Sequence, residues 1–227
     1  MSADSVYVDP GVRKVIGLYA GVFNDEFYQM PVIRQLEFQA DRLTEAHRHR
    51  DDAVCFQIGS WHPGLVGQPD VQILDYKFSI DDGRTTIARE YGSKDWVEAG
   101  ANCLRRSDVT FEEAVNAMLS GDLSRLKGLL ERTPGLLTAR SAYGHHASLL
   151  HFAGTNGAES YRQVVPLNLA AIVDFLIASG ADPASSADIY GGSTPRQLFE
   201  TSSHSLASHV YSDVIAVFNK YQTPPTQ

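Results

Sequence analysis

The stretch LSRLKGLL, residues 123–130, sets Leu123, Leu126, Leu129 and Leu130 on one face of a helix. The same +3, +3, +1 spacing returns 46 residues later in LAAIVDFL (169–176), as Leu169, Ile172, Phe175 and Leu176. It returns 42 residues further on in YSDVIAVF (211–218), as Tyr211, Val214, Val217 and Phe218. Each stripe belongs to a unit that cannot bury its apolar face alone, so neighbouring units must stack. A stack of helical hairpins offers an elongated recognition surface and brings no chemistry of its own. Binding is therefore the first functional expectation, and catalysis its rival.

The surrounding chain sets limits. Its 227 residues suffice for one large domain or two small ones, and 43% hydrophobic with 20% charged residues is ordinary for a globular protein. A net charge of −8 argues against general affinity for nucleic acid or an anionic membrane surface. Arg42, Arg48 and Arg50 form a basic cluster, but Asp41, Asp51 and Asp52 sit among them, as on a solvated helix face. No run approaches the roughly 20 apolar residues of a membrane span, and MSADSVYVDP lacks the pattern of a secretory signal. Cys55 and Cys103 form no CxxC or zinc-type spacing. Two free thiols in a reducing cytoplasm, with no cofactor, are the expectation.

The expected fold is mainly α, with a helical N-terminal region over 1–106, stacked repeats over 107–221, and a disordered tail at 222–227. Asp9-Pro10 predicts a helix start, and Val12, Val15, Ile16, Tyr19, Ala20, Phe23 and Phe27 predict its buried face. After Pro31 a second helix carries Leu36, Ala40, Leu43 and His47. GSWHPGLVGQPD (59–70) reads as a loop, and Val71, Ile73 and Leu74 as a short strand that could form part of a pair. Ser79 with Asp82 predicts a capping box, Gly92 a C-cap and Ser93 the next N-cap. Thr110 with Glu113 predicts a second capping box, opening the repeats.

Within the repeats, SLLHFAGTNG (148–157) and FLIASGADP (175–183) resemble the two halves of an ankyrin unit. GGSTPRQL (191–198) resembles the start of another, and SGDLSRLKGLLERTPGLL (120–137) the latter part of an earlier one. Residues 143–163 and 187–204 are similar to phrases in bacterial ankyrin-repeat-containing proteins, as is TTIAREYGSKDWVEA (85–99) ahead of them. The resemblance covers roughly residues 79–220 and implies about three units and a binding role. One departure stands out. About 13 residues separate the two glycines of the usual unit, whereas Gly157 and Gly180 are 23 apart, a surplus matching AESYRQVVPL (158–167).

Insertions in repeat proteins project as loops from one face. Tyr161, Arg162 and Gln163 are thus expected recognition residues that contribute little to folding. The competing reading has Tyr161 packed on the helices and Arg162 paired with Glu159 or Asp188. Tyr143, His145, Asp188, Tyr190 and His204 fall at repeat turns, where they line a polar-aromatic groove or simply face solvent. His145, His146 and His151 are close in sequence, but His146 and His151 lack the i, i+4 spacing of a helical metal pair. His151 takes the structural position implied by the ankyrin resemblance, and His146 joins the binding candidates. Asp188 with His204 is an example of an acid–base pair for hydrolysis, but no nucleophile elbow, P-loop or dinucleotide fingerprint accompanies it. Trp96 is expected in a core, and Trp61 in a loop.

The expected partner is another protein. The rivals are a small-molecule ligand or substrate held between the N-terminal region and the repeats, and a homodimer formed through Val12–Phe27.

Overall fold

The computed structural model describes residues 6–102 and 106–221. It is mainly helical, with one small two-stranded antiparallel sheet. After strand β1 (Val6–Val8), the Asp9 carboxylate accepts from the Gly11 N–H at 2.7 Å and opens α1 (Pro10–Leu18). The helix expected to reach Phe27 stops early. Gly21 turns the chain at φ +77°, and Asn24 caps a separate α2 (Asp25–Gln29). That break aims Phe23 and Tyr28 at a segment more than 130 residues away.

The N-terminal layer continues through α3 (Val32–Arg48), α4 (Val54–Trp61), α5 (Asp70–Asp75), α6 (Ile80–Glu90) and α7 (Trp96–Asn102). Helix α3 buries Leu36, Ala40, Leu43 and His47, as their spacing predicts. It packs most extensively on α6, where Gly83 permits the approach. A Cβ at Gly83 would clash with Thr44 Oγ1 and meet the Ala40 carbonyl oxygen at 2.9 Å. The Ser79–Asp82 capping box opens α6 as expected.

Three local expectations are overturned. The loop expected from Gly59 starts only after Trp61, because α4 runs on to that residue. Val71, Ile73 and Leu74 lie in a helix, not a strand, with Pro69 before it and Asp70 in its first turn. Ser93 is not the next cap: Asp95 Oδ1 accepts from the Glu98 N–H at 2.9 Å.

The C-terminal part comprises α8 (Val109–Leu119), α9 (Leu123–Arg132), α10 (Leu149–Phe152), β2 (Val164–Pro166), α11 (Leu169–Ala178), α12 (Pro195–Glu200), α13 (Ser203–Ala207) and α14 (Tyr211–Lys220). Short 3₁₀ turns cover Pro134–Leu137 and Ser160–Arg162. Asp108, not Thr110, caps α8. Helix α8 pairs with α9, α10 touches both α8 and α12, and α11 packs on α14. In the three recurring stripes the second and fourth positions are buried: Leu126 and Leu130, Ile172 and Leu176, Val214 and Phe218. Phe175 and Val217 are only partly covered, and the Lys127 ammonium lies 5.2 Å from the Phe175 ring.

Two hydrophobic clusters result, one built from the N-terminal helices and one from residues 111–218. Tyr143 breaks the division, since its ring packs in the N-terminal cluster. Strands β1 and β2 pair with Val6 opposite Pro166 and Val8 opposite Val164, so the strand pair lies far from Val71. Of the face considered for dimerisation, Val12, Val15, Tyr19 and Phe27 are buried within their own chain, Phe23 is partly covered, and Ile16 and Ala20 are exposed. No helix among the described residues is long and apolar enough to cross a membrane. Cys55 is a buried free thiol, whereas Cys103 and the tail at 222–227 lie outside the described residues.

Candidate functional site

The inserted segment does not project. It turns inward between the two clusters and carries a buried ionic hub. Arg162, 4% exposed, donates from Nη1 to Glu112 Oε2 at 2.6 Å and to Glu159 Oε2 at 2.8 Å. Its Nη2 donates to Asn116 Oδ1 at 3.0 Å and to the Tyr28 hydroxyl at 3.1 Å. One planar guanidinium thus joins α2, α8 and the insertion, a task suited to arginine's fork of donors. Glu159 Oε1 also lies 3.3 Å from His145 Nε2, with both side chains fully buried.

A second carboxylate grips the same segment. Glu90, at the end of α6, accepts the Ser160 N–H on Oε1 at 2.6 Å and the Gln57 amide on Oε2. Burial pushes the carboxyls of Glu90 and Glu112 up to about 7 each. Burial acts in the same direction on Glu159, but Arg162 and His145 outweigh it and hold this carboxyl below its ordinary range. Beside the hub, the Tyr161 ring stacks on Phe23 with centroids 3.9 Å apart.

Three buried glutamines extend the polar interior, and each accepts a tyrosine hydroxyl. Tyr143 donates to Gln35 Oε1 at 2.6 Å, Tyr91 to Gln39 Oε1 at 2.8 Å, and Tyr19 to Gln57 Oε1 at 3.0 Å. Such a connected interior is strongly specifying, because every broken link strands a desolvated group.

The nine expected binding residues divide into two groups. Tyr143, His145, Tyr161, Arg162, Gln163 and His204 line the interior and cannot form an exposed groove. Gln163 Oε1 is 3.1 Å from His204 Nε2, so His204 does not pair with Asp188. The expected acid–base pair is therefore absent. His146, Asp188 and Tyr190 are exposed, and His146 Nδ1 lies 2.8 Å from Asp188. His145 and His146 diverge, one to the core and one to the surface. Among the described residues no group of three His, Cys, Asp or Glu side chains is arranged to hold a metal ion.

The exposed group leads to an open cleft of about 490 Å³ at the seam. The end of α4 contributes Ser60 and Trp61, the end of α6 contributes Arg89, the α6–α7 connection contributes Gly92 to Lys94, and the loop before α12 contributes Asp188 and Tyr190. Trp61 and Tyr190 are nearly parallel, 8° apart, with ring centroids at 6.1 Å. Both rings are held by their polar atoms, Trp61 Nε1 donating to Ser160 Oγ at 3.1 Å and Tyr190 to Asn156 Oδ1 at 3.1 Å. Tyr190 is 64% exposed and keeps φ near +50°, a costly conformation for a residue with a side chain.

Trp61, Arg89 and Lys94 were not singled out for this site by sequence reasoning. The available signal was weak: a Trp near a Gly/Pro-rich loop and two bases flanking the Gly92 turn. Compared with family models, curated proteins and solved structures, the chain finds no match in any of the three.

Proposed function

We propose that the protein is a binding module: a degenerate ankyrin-like stack with an N-terminal helical layer fastened to its side. It recognises a protein partner at the seam cleft through Trp61, Tyr190, Arg89 and Lys94. One observation carries this reading. Two parallel aromatic rings, donated by opposite layers, stand at the surface with their polar ends already tied. Aromatic and arginine side chains are the usual anchors of protein interfaces, and rigid ones lose little entropy on binding. The open form of the cleft favours a protein surface over a small molecule, since ligand pockets enclose most of their occupant. Glu90, Glu112, Glu159 and His145 are buried in the interior and do not line the cleft.

The test is site-specific photo-crosslinking in source cells. A crosslinker at position 190 is expected to capture one protein adduct, and the same group at exposed Val66 to capture none. No adduct at 190, or the same adducts at both sites, would defeat the proposal. Capture of a small metabolite at 190 would favour the rival reading.

A further inference from the structure

Resting on the seam reading above, we infer that the partner presents an acidic segment carrying an aromatic residue, its carboxylates meeting Arg89 and Lys94 and its ring covering Trp61 and Tyr190. The argument begins with charge. Four ionic side chains line the cleft: Arg89, Lys94, Glu98 and Asp188. The two acids are engaged. Glu98 Oε2 accepts the Lys94 backbone N–H at 2.6 Å, and Asp188 pairs with His146 at 2.8 Å. Neither base has a carboxylate within 4 Å among the described residues, and both are exposed. The cleft therefore presents two uncommitted cations on a chain whose net charge is −8.

The lining holds two bases and two acids, so its formal charge is balanced, and selectivity comes from the two bases being the charges left without an ionic partner. The bulk field of the protein repels an acidic partner, so attraction arises only where the unpaired bases outweigh it at short range. A basic partner would meet Arg89 and Lys94 with like charge at the same place, which raises discrimination from the repulsive side. The aromatic pair supplies the other half. Trp61 and Tyr190 present fixed ring surface in the same cleft as the cations, and a planar side chain stacks there without ordering either ring first.

The experiment uses the full chain and two labelled 12-residue peptides built on the repeat Glu-Glu-Tyr-Glu, one with every Glu replaced by Gln. Fluorescence anisotropy is expected to show the acidic peptide binding at least tenfold tighter than its neutral counterpart. Arg89→Glu with Lys94→Glu should weaken the acidic peptide at least tenfold while the melting temperature holds. The milder Arg89→Gln, Lys94→Gln variant should fall between. Equal affinity for both peptides, or affinity untouched by charge reversal, would overturn the inference. So would binding of inorganic phosphate alone with the acidic peptide ignored, which marks a small-anion site. If the crosslinker at position 190 still captures a protein while these peptide results fail, the seam stands and only the acidic character is wrong.

Discussion

Arg162 and Glu112 meet at 2.6 Å across 50 residues of chain, and both side chains are almost wholly withdrawn from water. Removing one member of a buried pair leaves the other charged and unsolvated. Arg162→Ala is therefore expected to cost about 3–5 kcal/mol of stability, measured by urea unfolding. Arg162→Lys should rescue little, because one ammonium cannot span Glu112, Glu159, Asn116 and Tyr28 together. An Arg162→Ala variant as stable as wild type would restore the insertion to the role of a free recognition loop.

The hub also makes a pH prediction with a definite sign. Glu90 is raised from 4.5 to about 7 by burial, so the folded state binds its proton more tightly than the unfolded state does. The stability it contributes is complete below about pH 4.5 and declines as pH climbs through 7. That shift corresponds to about 3 kcal/mol. His151, lowered by burial to about 4, acts oppositely, since its contribution is lost as pH falls from 6.5. Glu90→Gln isolates the first effect. Its stability relative to wild type should improve by up to about 3 kcal/mol between pH 5 and pH 8, and a flat difference would refute the assignment.

Within the stripes, position decides cost. Leu126→Ala and Ile172→Ala remove fully buried side chains and are expected to lose about 2–5 kcal/mol each. Phe175→Ala should lose less than either, because that ring is half-open beneath Lys127. Equal losses by thermal unfolding would show the partial exposure to be irrelevant.

Gly92 tests the junction between layers. It sits at φ +85°, and an added Cβ would clash with the His145 backbone nitrogen. Gly92→Ala thus combines a left-handed backbone with a main-chain clash that no rotamer relieves. A loss greater than about 1 kcal/mol is expected, exceeding that at exposed Gly21, where φ is also positive but no atom lies within 4 Å. Parallel melts of the two variants check the order.

The repeating stripes were legible because helical periodicity is a local property, and Leu126, Ile172 and Val214 obey it. The end of α1 was missed because Phe23 and Phe27 continue an apolar pattern across a turn. Gly21 and Asn24 marked that turn, yet an apolar period says nothing about backbone sign. The hub was hardest to see. Glu90, Glu112 and Arg162 look like surface residues until chain segments 50–70 residues apart converge. The same is true of Gln35 and Gln39, whose i, i+4 spacing on α3 reads as a polar face although both are buried. The competing reading of the insertion offers Glu159 or Asp188 as the arginine's partner; Glu159, three residues away, is the one it meets, while Asp188 lies on His146.

The pairing of β1 with β2 bears on how the chain matures as it leaves the ribosome. Val8 meets Val164, so the first strand waits for 156 further residues, on the order of ten seconds of synthesis. Glu90 likewise emerges long before the Ser160 N–H that it accepts. We expect nascent chains arrested before residue 160 to be rapidly cleaved by protease, and released full-length chains to resist; equal resistance would show that the first layer closes alone. Unlike an array that can grow one unit at a time, this molecule completes its opening layer only when a late segment returns to it.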